Sequence, residues 1–280
     1  VGVLAPAFPA LTERASAANF SMKTGYYVGT GADLSITSLG FQPEYILIKI
    51  SSSASASFVK TKDMAGDLVM SAATAGAQNG VTMTTTGFNL GSSTQVNEPG
   101  GYYYYTAFAG SDCTSSGTVC VSSYTGDGSG TRAINTGFQP SLIVAKNNST
   151  NAMHFKTATM PSANTEFFSI NAANTSSAFI GAISSDGFSV GSSDNASATI
   201  YYYIAFKEVA GLMKQGSYTG NGVDSRDITG LGFKPNAVFV KNSTSGINAS
   251  RRAAWSSPDH HGDLSSYIGD VIATGVNIVQ

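Results

Sequence analysis

The chain has 280 residues, 42% of them apolar and only 11% charged, with a formal net charge of −2. A typical soluble domain carries roughly 25% charged residues, so hydroxyl and amide side chains must supply much of the polar surface here. The near-neutral balance and the lack of a basic stripe argue against a nucleic-acid partner, and no apolar run approaches the ~20 residues that span a bilayer.

Residues 1–21 read as an extended arm. Pro6 and Pro9 forbid a helix, and Val1, Val3, Ala5 and Ala7 alternate as in a strand. A second reading takes the segment as a signal-peptide remnant ending at Ala15-Ser16-Ala17. "LTERASAANF" allows a short helix at most.

The first strands follow a turn-rich block, "YVGTGADLSI" from Tyr27, whose glycines belong to tight turns. Next come Gly40-Phe41-Gln42-Pro43 and "YILIKI", apolar on both faces as in a strand covered twice. Pro43 forces the residue before it into an extended conformation. Phe41 is expected to pack, and Lys49 to leave the sheet toward solvent. "TGFNLGSS" (Thr86 to Ser93) and the aromatic strand "YYYYTAFAG" (Tyr102 to Gly110) close the unit.

This order then recurs. "YTGDGSGTRAI" from Tyr124 leads to Gly137-Phe138-Gln139-Pro140, a strand ending in Lys146, "DGFSVGSS" and "YYYIAFKE". "YTGNGVDSRDI" from Tyr218 leads to Gly232-Phe233-Lys234-Pro235, a strand ending in Lys241, and a weaker "TGVNIVQ". The three Gly-Phe-x-Pro motifs stand 97 and 95 residues apart. That period is too long for a solenoid and suits a whole sandwich of about 100 residues. The expected fold is all-β: three tandem jelly-roll-like antiparallel β-sandwiches at residues 22–112, 113–211 and 212–280, the third lacking its last strand. Two readings of the short third copy stand: an incomplete C-terminus, or completion by an extended segment such as Val1 to Phe8 of a neighbouring subunit.

The ordered set "YTGNGVDSRDITGLGFKPNAVFVKN", "DGFSVGSS" and "YYYIAF" resembles a repeat of bacteriophage virion and tail-fibre-like proteins. The resemblance covers three copies from about Met22 onward. It implies a concanavalin-type jelly-roll sandwich and a structural or host-surface-binding role, and it carries no catalytic residues. The chain departs from that repeat after the Lys-Asn strand, where an aromatic-rich segment is reduced to "SFVKTKDM", "MHFKTATM" and "RRAAWSSPDHH".

Chemistry is sparse. Cys113 and Cys120 flank a Ser-Ser-Gly turn that brings two strand ends together, so a local disulfide is expected, suiting an extracellular or virion setting. Asp259, His260, His261 and Asp263 are the only clustered ligand types, and they read as a polar loop after Pro258 rather than a metal site. There is no nucleophile elbow, carboxylates do not recur between copies, and His154 reads as a packed or edge histidine. The Asn-x-Ser/Thr sequons at Asn148, Asn174, Asn195 and Asn242 fit chance in so Asn- and Ser-rich a chain. No enzyme activity, metal or other cofactor is therefore expected. The binding candidates are tyrosines: alternate rings of each run face opposite sides of a strand, and Tyr103, Tyr105, Tyr201 and Tyr203 are nominated for stacking on sugar or a partner protein. The expected function is a structural part of a virion or extracellular fibre, self-assembling, with a carbohydrate-binding adhesin as the alternative.

Overall fold

The computed structural model describes residues 20–50, 56–72, 77–149, 151–162, 164–168, 178–223, 226–241, 250–253, 265–267 and 272–273. Residues 1–19 of the extended arm and the Asp259–Asp263 cluster lie outside these residues; of the rest of the arm, Phe20 is buried and Ser21 begins a strand. The architecture is antiparallel β throughout, relieved by one helical turn, α1 (Thr94–Asn97), and a 3₁₀ turn at Ser192–Asp194.

The first sandwich contains β1 (Ser21–Val28), β2 (Leu34–Ile36), β3 (Tyr45–Ile50), β4 (Phe58–Thr61), β5 (Leu68–Ser71), β6 (Ala77–Asn79), β7 (Val81–Thr84), β8 (Gly87–Leu90) and β9 (Tyr102–Ala109). A six-stranded sheet, ordered β1-β9-β3-β4-β5-β6, faces a three-stranded sheet, β2-β8-β7. Ile46, Ile48 and Ile50 of β3 pack against Phe88 and Leu90 of β8 between them.

The second sandwich repeats the plan with β10 (Val119–Thr125), β11 (Thr131–Asn135), β12 (Leu142–Asn147), β13 (His154–Thr157), β14 (Glu166–Phe167), β15 (Ile180–Ser184), β16 (Gly187–Gly191) and β17 (Ile200–Phe206). Its sheets are ordered β10-β17-β12-β13-β14 and β11-β16-β15. The two cores match ring for ring. Tyr27 stacks on Tyr103 with centroids 5.0 Å apart, and Tyr124 on Tyr201 at the same separation. Phe88 meets Tyr105 edge-on as Phe188 meets Tyr203.

Beyond them β18 (Ala237–Val240), β19 (Ser250–Ala253), β20 (Ser265–Tyr267) and β21 (Ile272–Ala273) form one four-stranded sheet in that order. β18 follows the third Gly-Phe-x-Pro as β3 and β12 follow the first two. Those strands pair with β9 and β17 on their other edge. Among the described residues β18 has no such neighbour.

The motifs that define the repeat touch one another. The Gly40 N–H donates to Thr86 O (3.3 Å) and the Gly137 N–H to Asp186 O (3.0 Å), tying each Gly-Phe-x-Pro turn to the following Gly-Phe hairpin. Gly40, Gly137 and Gly232 share φ near +78° (76°, 79° and 79°), where an L side chain is strained. In the hairpins, a Cβ on Gly87 or Gly187 would collide with the carbonyl of Ile36 or Ile134.

A third core lies between the sandwiches. Tyr45 and Leu47 of β3, Val59 of β4 and Phe108 of β9 point away from the first sandwich's interior. They pack on Val121, Val144, Phe155, Ile204 and Phe206 of the second. This is why the central strands are apolar on both faces: one face fills its own sandwich, the other seats the neighbouring one. Phe108 and Phe206 meet edge-on at 5.2 Å, and the Met153 N–H donates to Ala72 O (2.8 Å) across the junction. Each fully buried large apolar side chain contributes about 1.5–3 kcal/mol, so this face couples the two sandwiches into one body.

Candidate functional site

The structure corrects the tyrosine assignment. Tyr103, Tyr105, Tyr201 and Tyr203 are buried, none more than 3% exposed. Rings alternate along β9 and β17, and these four are the inward set. Their hydroxyls hold chain segments together. The Tyr103 hydroxyl donates to Thr94 O (3.0 Å) and accepts the Glu98 N–H (2.8 Å). The Tyr201 hydroxyl does the same with Ser193 O and the Ala196 N–H, both at 3.1 Å.

The strand-ending lysines are a second correction. Lys49 and Lys146 do not leave for solvent; they are 0% and 2% exposed, and Lys241 is half-buried. Each keeps the face of Leu47 or Val144, two residues earlier, at the rim of the shared core. The Lys146 ammonium donates to the carbonyls of Asn147 (2.9 Å) and Asn151 (2.7 Å). One strand over, Lys60 donates to Met64 O and Gly66 O, and Lys156 to the carbonyls of Pro161, Ser162 and Asn164. Burial pushes Lys60 and Lys146 down to about 8. These lysines are loop staples: the ammonium replaces the water that loop carbonyls would otherwise need.

Sequence reasoning missed a pair of asparagines. Asn97 and Asn195 are fully buried. The Asn97 side chain accepts the Thr30 N–H (2.8 Å) and donates to Ala32 O (2.6 Å) and Gly91 O (2.8 Å). Asn195 accepts the Asp127 N–H (3.1 Å) and donates to the Asp127 carboxylate and to Ser129. Each amide thus pins one Gly-rich turn of the repeat. Placing the two copies in register would have exposed this signal.

The sequence also missed an ion pair. His154 and Asp194 are both fully buried, with His154 Nε2 2.6 Å from Asp194 Oδ2. His154 Nδ1 lies 2.9 Å from Ala152 O. Both ring nitrogens therefore face acceptors, which favours the doubly protonated ring. Burial opposes that charge. The Asp194 carboxylate, its hydrogen bond and the Ala152 carbonyl outweigh burial and the opposing Lys146 charge, and hold the imidazole above its ordinary pKa. Phe167 and Phe179 flank the ring, each at 5.3 Å. With no exposure, the dyad cannot touch a substrate.

Of the remaining assignments, Phe138 is buried while Phe41 and Phe233 are half-buried, and Pro43, Pro140 and Pro235 each stand two residues before a strand. Cys113 and Cys120 form a disulfide with Cα atoms 4.8 Å apart. No group of three or more metal-ligating side chains occurs among the described residues. No helix among them is long and apolar enough to cross a membrane. A cleft of about 1870 Å³ runs between the facing sheets and residues 211–241, with Met22, Leu142, Phe155, Phe233 and Phe239 in its walls.

The family model described as a domain of unknown function, DUF7483, matches residues 111–256, from the end of the first sandwich through the second and into the third unit. No curated protein and no solved structure matches the chain. Since the match takes in more than half of the sequence, the chain belongs to the DUF7483 family.

Proposed function

We propose that this protein is a structural component of an extracellular fibre or virion, built to assemble with other copies of itself. One observation carries the reading: the outer faces of the two large sheets are used to seat one sandwich on another, through a continuous apolar core. The groups with chemical potential serve that architecture. Buried tyrosines and asparagines pin loops, and lysines staple carbonyls. The Cys113–Cys120 disulfide suits an oxidising compartment. The edge of β18 offers one further route, since an added strand there would take the place held by β9 and β17 in the earlier units.

The test is the state of association of the full chain under oxidising conditions. Sedimentation velocity over a wide concentration range, with electron microscopy of the same samples, should show assemblies larger than one chain. A single monomeric species at every concentration would overturn the reading. A variant lacking residues 1–11 separates the routes: assemblies lost in it point to strand addition by the arm, and unchanged assemblies exclude that route.

A further inference from the structure

Among the described residues of the two sandwiches the exposed large apolar side chains are gathered in one place; the others, Tyr218, Val223, Ile228 and Phe239, belong to the third unit. Tyr26 is 61% exposed, Val28 41% and Tyr102 51%. β1 and β9 bring them together: Tyr26 pairs with Tyr104, and Val28 with Tyr102. The Tyr26 and Tyr104 rings lie 6.4 Å apart, tilted by 55°. By alternation Tyr102 and Tyr104 share the face of Phe108, the face that seats the second sandwich. The patch is therefore the uncovered end of an interface the protein already uses.

The second sandwich shows that the fold does not require it. Registers of β1 with β9 and of β10 with β17 place Ser123 where Tyr26 stands and Thr125 where Val28 stands. There the equivalent of Tyr104, Tyr202, is buried in the inter-sandwich core. Rings left open at one copy and covered at the other have a purpose beyond folding, since a contiguous exposed apolar patch marks an interaction site. Among the described residues β1 is also the edge strand of the six-stranded sheet, a position suited to pairing with another chain.

We propose that this patch is a self-association surface, and that its occupant is the same patch on a second copy of the chain. The inference rests on the assembly reading above and names the contact. A two-fold contact is the commonest form of homo-oligomer. It would place Tyr26, Val28 and Tyr102 of both copies against one another, with the two β1 edges alongside.

The experiment compares the full chain with the Y26S/V28T variant, which carries the residues the second sandwich holds at the same register and so should fold. Circular dichroism and the melting temperature check that it does. Sedimentation across a concentration series should show native self-association weakened at least tenfold in the variant. Native association that the variant reproduces would overturn the patch while leaving the assembly reading standing. A native chain that never associates would overturn both. Glycan binding lost in Y26S/V28T, without self-association of the native chain, would assign the patch to sugar and overturn a second copy as the occupant.

Discussion

The buried His154–Asp194 pair allows a quantitative test, because the protein contains its own control. The Tyr27 hydroxyl donates to Val96 O (2.6 Å), and the Tyr124 hydroxyl to Asp194 O (2.7 Å). The strand registers likewise set Phe58 on β4 against Ile48, as His154 on β13 stands against Ala145. The first sandwich thus holds Phe58 and Val96, both in its core, where the second holds His154 and Asp194. Removing one member of a buried ion pair typically costs about 3–5 kcal/mol, whereas replacing both by packed apolar groups is neutral or stabilising by about 1–4 kcal/mol. Asp194→Val alone is therefore expected to destabilise the second sandwich by about 3 kcal/mol or more. It strips His154 of its counter-charge and removes the acceptor 3.4 Å from Asn151 Nδ2. The double variant H154F/D194V should recover that loss. The pH dependence has a definite sign. The imidazole pKa is raised on folding, so its contribution is complete below the ordinary value of 6.5 and shrinks as pH rises through the folded value. Native stability should consequently fall relative to the double variant as pH climbs from about 6 to 9. Urea unfolding across that range, followed by circular dichroism, measures both effects. A D194V cost below about 1 kcal/mol, or parallel pH profiles for the native and double-variant proteins, would refute the charged-pair account.

Two further outcomes follow from the same cores. Asn195→Ala should cost about 1–3 kcal/mol, since it removes side-chain hydrogen bonds to the Asp127 N–H and to Ser129, each worth about 0.5–1.5 kcal/mol net; thermal unfolding reads this, and a loss within error would dismiss the anchoring role. Glu166→Met should raise the melting temperature at pH 8, because burial pushes the Glu166 carboxyl up to about 6 against the pull of Lys241. The folded state binds that proton more tightly, so the native protein gains stability as pH falls from 6 toward the ordinary 4.5 and the advantage of the variant narrows. Calorimetry at pH 5 and 8 tests it, and an advantage that grows toward pH 5 would contradict the assignment.

Local chemistry made much of the fold legible. Gly40, Gly137 and Gly232 hold the positive φ that their turns need, and each proline stands just ahead of a strand, so composition and spacing were enough to place these turns and the strands after them. Alternation along "YYYYTAFAG" also separated the rings into two sets. It did not say which set was covered. Coverage depends on which sheet lies on each face, and that is decided by other strands, which set Phe88 against Tyr105 and Phe188 against Tyr203. The lysines failed for a local reason. Lys146 ends an apolar strand and looked like a snorkelling cation, but its ammonium finds the carbonyls of Asn147 and Asn151 in the loop that follows. His154 and Asp194 are 40 residues apart in sequence, and each looks ordinary alone. Only matching "FVKT" at Phe58 to "HFKT" at His154 shows a charge entering an apolar position.

The boundaries of the family match agree with how the units lean on one another. A self-sufficient sandwich would be shared as residues 113 to 211 or so, yet the match continues to residue 256. Glu166 shows why the extra length matters. Its register partner Phe155 corresponds to Val59, and Val59 pairs with Met70. Glu166 therefore occupies the position of Met70, which the first sandwich buries against the second. In the second sandwich Glu166 is only 1% exposed, and neither carboxylate oxygen has a hydrogen-bond partner among the described residues. β18 and the residue after it come close: Phe239 packs on Phe168, two residues along, with ring centroids 6.4 Å apart, and the Lys241 charge lies close enough to act on the Glu166 carboxylate. An acid placed there is costly without the following unit and tolerable with it. A chain cut at residue 211 should therefore leave Glu166 without the Lys241 charge and Phe168 without the Phe239 ring. Such a truncation is expected to melt several degrees below the full chain at pH 8, with part of the loss restored by Glu166→Gln. A truncated protein as stable as the full chain would show that the second sandwich needs no cap.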